Sequence, residues 1–133
     1  MHINPYLFFD GNCREAFETY ARLLGGEVTL MLTYGEHADG LGGPEWAERM
    51  YHATVAIAGT ELLGADCPPG AFQPIQGFTV TLAPDDPAEA RRIFDALADG
   101  GKVTQPLQET FWSAAFGQVV DRFGVPWMIN CAQ

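Results

Sequence analysis

The residues of this chain best suited to chemistry are few and widely spaced. His52 offers an imidazole that titrates near neutral pH, so it could serve as a general base or a polar anchor for a ligand. Its plainer reading is a half-buried histidine bonded to backbone at the start of a strand. Asp66 precedes Cys67-Pro68-Pro69. There it could face a cavity as an acid, or close the turn by bonding nearby backbone. His37 lies with Glu36 and Asp39 in a glycine-rich stretch, but no second histidine stands at ligand spacing, so a solvated loop is the better reading. Cys67 could be a reactive thiol, although the sequence around it supplies neither a base nor a helix N-terminus. Cys13 and Cys131 read as small apolar residues. Trp112, Phe111 and Phe116, with Trp127 and Tyr34, could form an aromatic wall for a planar ligand or could be core. Trp112 and Tyr34 are the candidate ligand contacts among them. Alternation would place Trp112 and Phe111 on opposite faces of one strand.

The elements that must hold these groups come in two similar sets. Residues 12–29, NCREAFETYARLLGGEVT, are echoed by 86–104, DPAEARRIFDALADGGKVT. Each copy opens with a cap residue and a glutamate three positions on: Asn12 with Glu15, and Asp86 with Glu89. Each continues Glu-Ala, aromatic, leucine, and stops at a glycine pair followed by charge-Val-Thr. The capping-box pattern and the glycine stop predict two helices with apolar faces at i, i+3, i+4, i+7 spacing. Around them the alternation predicts strands at 3–9, 27–34, 50–58 and 61–66, and again at 77–83, 102–109, 111–120 and 125–131. Residues 35–49 contain four glycines and a proline, which predicts a long mobile loop with a helical turn near Glu45 to Arg49. Such a loop could be a lid, a dimer contact or a plain connector. The segment 67–76, with three prolines, reads as a linker.

The expected fold is therefore α+β: two β-α-β-β-β modules, 1–66 and 77–133, in one domain of 133 residues. Repeated units of this kind are expected to face each other across a cleft, with eight strands in a curved, mostly antiparallel surface and the helices outside. An apolar share of 47% is ample for a core. The net charge is −10 and Lys102 is the sole lysine, which argues against nucleic-acid and anionic-membrane partners. The N-terminal stretch lacks the basic flank and apolar length of a signal peptide, and no run is long enough to span a bilayer. Three cysteines match no zinc or redox spacing, so a reduced, cytoplasmic protein is expected.

The segments PYLFFDGNCREAFETYARLLGG, HATVAIAGTELLGADCPP and GGKVTQPLQETFWSAAFGQVVDRFGVPWMIN resemble the vicinal oxygen chelate superfamily, which includes glyoxalase I, bleomycin-resistance proteins and extradiol dioxygenases. The chain looks like its PhnB-like branch. The resemblance implies a single glyoxalase-like domain, a homodimer, and a cleft formed within one chain or across two. It also implies a divalent metal held by His, Gln or Glu on the first and last strand of each module. Here those positions read Pro5, Leu63, about Phe78 (or Gly77) and Met128, which supply no hard ligand. The expectation is a metal-free protein, without cofactor, that binds a small molecule through Trp112, Tyr34, His52 and Asp66. The alternatives are a metal-dependent lyase or isomerase resembling glyoxalase I, and a dimeric structural or regulatory module without a ligand.

Overall fold

A computed structural model of the chain describes residues 1–132. The chain divides into two compact units, Met1–Gln73 and Pro74–Gln133, and the division falls inside the expected linker. The first unit runs β1 (Tyr6–Phe9), α1 (Cys13–Leu24), β2 (Glu27–Thr33), α2 (Tyr34–His37), a 3₁₀ turn (Pro44–Trp46), β3 (Met50–Ile57) and β4 (Thr60–Asp66). The second runs β5 (Val80–Leu82), α3 (Pro87–Ala98), β6 (Lys102–Gln108), β7 (Ser113–Val120) and β8 (Pro126–Ala132).

Each unit is one four-stranded mixed sheet, and the two orders correspond strand for strand: β1-β4-β3-β2 and β5-β8-β7-β6. The first strand pairs parallel with the last in both units, and the remaining pairs are antiparallel. The architecture is thus α+β, built from two β-α-β-β-β modules. The expected strands are all present, but their ends move. β1 begins at Tyr6 rather than Ile3, β5 shrinks to three residues, and β7 begins at Ser113. Trp112 and Phe111 therefore precede β7, and strand alternation does not sort them; both are exposed.

In each unit the helix covers one sheet face. On α1, Cys13, Ala16, Phe17 and Tyr20 are buried, and Phe17 meets Phe9 edge-on with ring centroids 5.8 Å apart. On α3, Ala90, Ile93, Phe94 and Leu97 do the same. The helix faces of the sheets carry small residues where the helices come closest. A Cβ at Gly64 would lie 2.7 Å from Phe17 Cζ and 2.9 Å from the Leu7 carbonyl oxygen. One at Gly117 would lie 2.9 Å from Phe94 Cε2 and 3.0 Å from Leu107 Cα.

The helix starts differ from expectation in one copy. Asp86 caps α3 by accepting the Glu89 N–H at 3.0 Å. Asn12 makes no side-chain cap bond at α1; a distant carboxylate does that work, as described below. The 35–49 segment is ordered by its own contacts. Tyr34 N–H donates to the Arg49 carbonyl, Gly35 N–H donates to that of Ala47, and the Arg49 guanidinium lies 4.0 Å over the Trp46 ring.

Gly64→Ala and Gly117→Ala are each expected to cost about 1–3 kcal/mol by overpacking the helix–sheet contact. Urea unfolding should show a lower midpoint with an unchanged m-value in both; a neutral result at either would mean that the helix is free to shift.

Candidate functional site

The faces turned away from the helices hold the side chains available for chemistry. Paired residues in a sheet point to the same side, so the registers define rows. In the first unit one row reads Tyr6, Leu63, Thr54 and Leu30. The next holds Phe8 opposite Ala65 and His52 opposite Leu32. Their alternation partners Leu7 and Phe9 are buried beneath α1, whereas Tyr6, Phe8 and Leu30 remain 39–46% exposed. An open apolar and aromatic surface results.

Across it runs a short polar chain. Tyr6 Oη lies 3.0 Å from His52 Nδ1, and His52 Nε2 lies 3.0 Å from Thr54 Oγ1. In one tautomer Tyr6 donates to Nδ1 and Nε2–H donates to Thr54. In the other, both bonds reverse. The imidazole is thus held between two hydroxyls, and the Tyr6 end is open to solvent. Burial, with Cys13 and Tyr51 nearby, pushes the Tyr6 phenol above its usual range, so it stays protonated and able to donate. Tyr6 and Phe8 rings lie 5.0 Å apart and Tyr6 and His52 rings 5.6 Å apart. Sequence reasoning chose His52 but passed over Tyr6 and Phe8. The signal was the alternation within Tyr6-Leu7-Phe8-Phe9, which puts two aromatics on the side away from the helix.

Asp66 has a different place. It is buried, 1% exposed. Its Oδ1 accepts the N–H groups of Gly11 at 2.8 Å and Cys13 at 3.1 Å. Its Oδ2 accepts that of Met50 at 2.8 Å. The carboxylate therefore caps α1 and fastens the start of β3 to the end of β4. Tyr34, 3% exposed, donates its hydroxyl to the Asp66 carbonyl at 2.7 Å. Tyr34 and Asp66 are brought together as framework, with His52 two residues beyond Met50 on the strand that Asp66 fastens.

Trp112 lies in the second unit, 49% exposed, with its ring centroid 4.7 Å from Phe111 and 5.4 Å from Phe116. Trp127 is fully buried and donates its indole N–H to Asp121 Oδ2 at 2.8 Å. His37 stacks on Tyr51 at 6.2 Å. Cys13, Cys67 and Cys131 are buried free thiols. Burial, and then the Asp66 carboxylate, pushes the Cys13 thiol far above its ordinary value. Cys67 is raised by burial, then by Asp10 and Asp66.

The metal that the fold family implies needs hard donors at matching strand positions, and those positions carry none here. Leu63 and Met128 occupy equivalent rows, opposite Tyr6 and Thr81 respectively. In register Thr81, opposite Met128, matches Tyr6, opposite Leu63, so Val80 rather than Phe78 matches Pro5, and Val80 pairs with the buried Trp127 on the helix side. Pro5, Val80, Leu63 and Met128 offer neither carboxylate nor imidazole, and Tyr6 and Thr81, which share the open face with Leu63 and Met128, offer only hydroxyls. No cluster of three or more His, Cys, Asp or Glu suited to a metal occurs among the described residues. No described helix is long and apolar enough to cross a membrane.

A family model described as 3-demethylubiquinone-9 3-methyltransferase matches residues 1–130. Protein YjdN of Escherichia coli (strain K12) is 40% identical, over 98% of this chain and 95% of its own length. The crystal structure of PA1353 from Pseudomonas aeruginosa is similar with a TM-score of 0.90 and 44% identity, covering 100% of this chain and 98% of that one. The PhnB protein from Bacillus cereus follows at 0.85 and 26%, covering 99% and 100%. The fosfomycin resistance protein FosX from Listeria monocytogenes shares the fold at a TM-score of 0.67, with 9% identity over 100% of this chain and 93% of its own.

Two outcomes follow from these placements. Asp66→Asn keeps an acceptor at Oδ1 but sets an amide donor against the Met50 N–H. It should lower unfolding free energy by about 1.5–3 kcal/mol, read by urea titration; full stability in this variant would remove Asp66 from the framework. The Cys13 thiol binds its proton more tightly folded than unfolded. Its contribution is complete below the unfolded pKa of about 8.5 and is lost as pH rises beyond it. Stability should thus fall with rising pH in that range, more gently in Cys13→Ala, and native Cys13 should resist alkylation by iodoacetamide.

Proposed function

Because this chain belongs to the PhnB-like family, on the vicinal oxygen chelate fold, we propose that it is a small-molecule-binding protein that works without the family's usual divalent metal. The observation that carries this reading is the Tyr6–His52–Thr54 chain laid across an open apolar sheet face. A ligand would cover Phe8, Leu30 and Leu63, gaining about 25 cal/mol per Å² of apolar surface removed from water. The exposed Tyr6 hydroxyl would give it one directed hydrogen bond. Since His52 can reverse its tautomer, Tyr6 can donate to a ligand acceptor or accept from a ligand donor. Trp112 is proposed as a stacking contact on its own unit. Tyr34 and Asp66 act behind the surface, holding β3 and β4 in register.

Methyl transfer, which the family model's description names, finds no support in the geometry. A nucleotide-type methyl donor is ordinarily bound by a glycine-rich loop and a helix N-terminus at the edge of a parallel sheet. In the first unit, the amides at the start of α1 are already taken by Asp66, and each sheet has one parallel pair.

A second reading, proton transfer as in a lyase or isomerase, draws support from the same chain. A proton accepted at Tyr6 Oη could be matched by transfer of the tyrosine proton to His52 Nδ1, leaving an imidazolium whose Nε2–H stays bonded to Thr54 Oγ1.

A thermal-shift screen of aromatic antibiotics and glutathione adducts should raise the melting temperature for at least one member. Tyr6→Phe and His52→Ala should each weaken that ligand by about 3–10-fold, the worth of one hydrogen bond. Protein purified without chelator should contain far less than one metal per chain. A stoichiometric metal would sink the metal-free reading, and a flat screen would favour a structural module.

A further inference from the structure

The second unit carries a surface of another chemistry. Facing away from α3, one row reads Thr81, Met128, Gln118 and Gln105, and the next reads Asn130, Phe116 and Gln108. The alternation partners Trp127, Ile129 and Cys131 are fully buried on the helix side, and Ala115 and Val119 are buried there with them, which fixes the direction of the other set. Four carboxamides therefore share one face with Phe116, whose ring meets Trp112. Gln105, Gln118 and Asn130 are half-buried. The two rows hold no ionisable side chain; Lys102 stands one row further on, opposite Val120 on the outer strand.

Such a face selects by charge. A carboxylate or phosphate placed over these rows would lose its water without meeting a cation, and an ammonium would meet no anion. A carboxamide instead offers two N–H donors and one carbonyl acceptor without charge. Two rows two residues apart along a strand stand about 7 Å from each other, the span of a small ring bearing carbonyl and N–H groups on opposite edges. Phe116 adds a π surface for its flat side, and Trp112 stands edge-on to Phe116 beside it.

The geometry points to this face as a binding surface for an uncharged planar ligand of the cyclic amide or imide class, read by Gln118, Gln105 and Asn130, stacked on Phe116 and flanked by Trp112, whose ring is tilted 70° to that of Phe116. This names a ligand class for the small-molecule reading above and rests on it. The occupant is a ligand rather than a second copy of the chain, because the rows gather carboxamides, each both donor and acceptor, where a self-association face would concentrate apolar anchors.

Uracil serves as the neutral probe and orotate, the same ring with a carboxylate, as the charged one. In heteronuclear NMR of the whole chain, uracil up to about 10 mM, the range of fragment affinities, should shift the side-chain amide signals of Gln118, Gln105 and Asn130. Orotate should shift them far less. Gln118→Leu and Asn130→Leu should each weaken uracil at least threefold while leaving the melting temperature of the free protein unchanged. Silence with uracil, equal response to orotate, or unchanged uracil binding in both variants overturns the inference. So does a change of sedimentation coefficient in Gln118→Leu, which would mark the face as a contact between copies. Silence with uracil, beside a ligand from the thermal screen that is lost in Tyr6→Phe but kept in Gln118→Leu, would sustain small-molecule binding while overturning this face.

Discussion

The carboxylate of Asp66 is the interaction on which the first unit depends. It sits at the last residue of β4 and accepts three backbone N–H groups from two other places in the chain. Two of these lie at the start of α1, where a helix leaves its first amides without internal partners. The third lies at the start of β3. One buried anion thus satisfies donors that the fold would otherwise bury unpaired, each of which would cost about 1–3 kcal/mol. The bond from Tyr34 to the Asp66 carbonyl and that from the Cys67 amide to the Phe9 carbonyl brace the same corner. The two adjacent rows that bring Tyr6, His52 and Thr54 within reach of each other depend on β1, β3 and β4 holding this register.

The second unit repeats the topology but solves its buried-polar problem elsewhere. Asp121, in the turn between β7 and β8, accepts the N–H groups of Phe123 and Val125 and the Trp127 indole. The corresponding turn of the first unit is Ala58-Gly59, both at positive φ, with no carboxylate. The helix start is also solved differently, by the local cap Asp86. Two copies of one supersecondary unit therefore keep strand order and helix face while differing in which aspartate secures the backbone. Apolar periodicity and parallel pairing are set by the whole element, whereas a buried carboxylate needs only donors close by, and these can be gathered at several corners.

This difference explains what was legible in the sequence. Both helices, their glycine stops and the doubled strand order follow from local patterns, because propensity, caps and alternation act within a dozen residues. The α1 cap was misread because Asn12 has the right type and position, yet Asp66 from 53 residues away in chain (66 minus 13) takes the Cys13 N–H. Local spacing cannot rank those two acceptors. The same limit applies to the Tyr6–His52 bond, which joins residues 46 apart. The strand-5 position slipped by two residues because the apolar run beginning at Gly77 extends further than the three residues that find a partner in β8. Tyr34 and Trp112 were grouped by ring type alone. Burial separates them, Tyr34 held by its hydroxyl within the framework and Trp112 left on the surface.

The rows that superimpose in the two units carry their own evidence about function. Leu63 and Met128 hold matching places, as do Tyr6 and Thr81, Thr54 and Gln118, and Leu30 and Gln105. On the helix side the residues remain apolar, and Gly64 and Gly117 keep room where Phe17 of α1 and Phe94 of α3 press closest. On the open side nothing in the packing demands a given residue type, and there the units diverge most: an imidazole between two hydroxyls on one, carboxamides on the other. A metal centre would require the open rows to converge on a few hard ligands at fixed geometry. Hydrogen-bonding recognition asks only that each face be internally consistent in charge and reach. The matching strand positions carry no hard donor, and the open rows carry the hydrogen-bonding groups on which the proposed recognition of a small molecule rests.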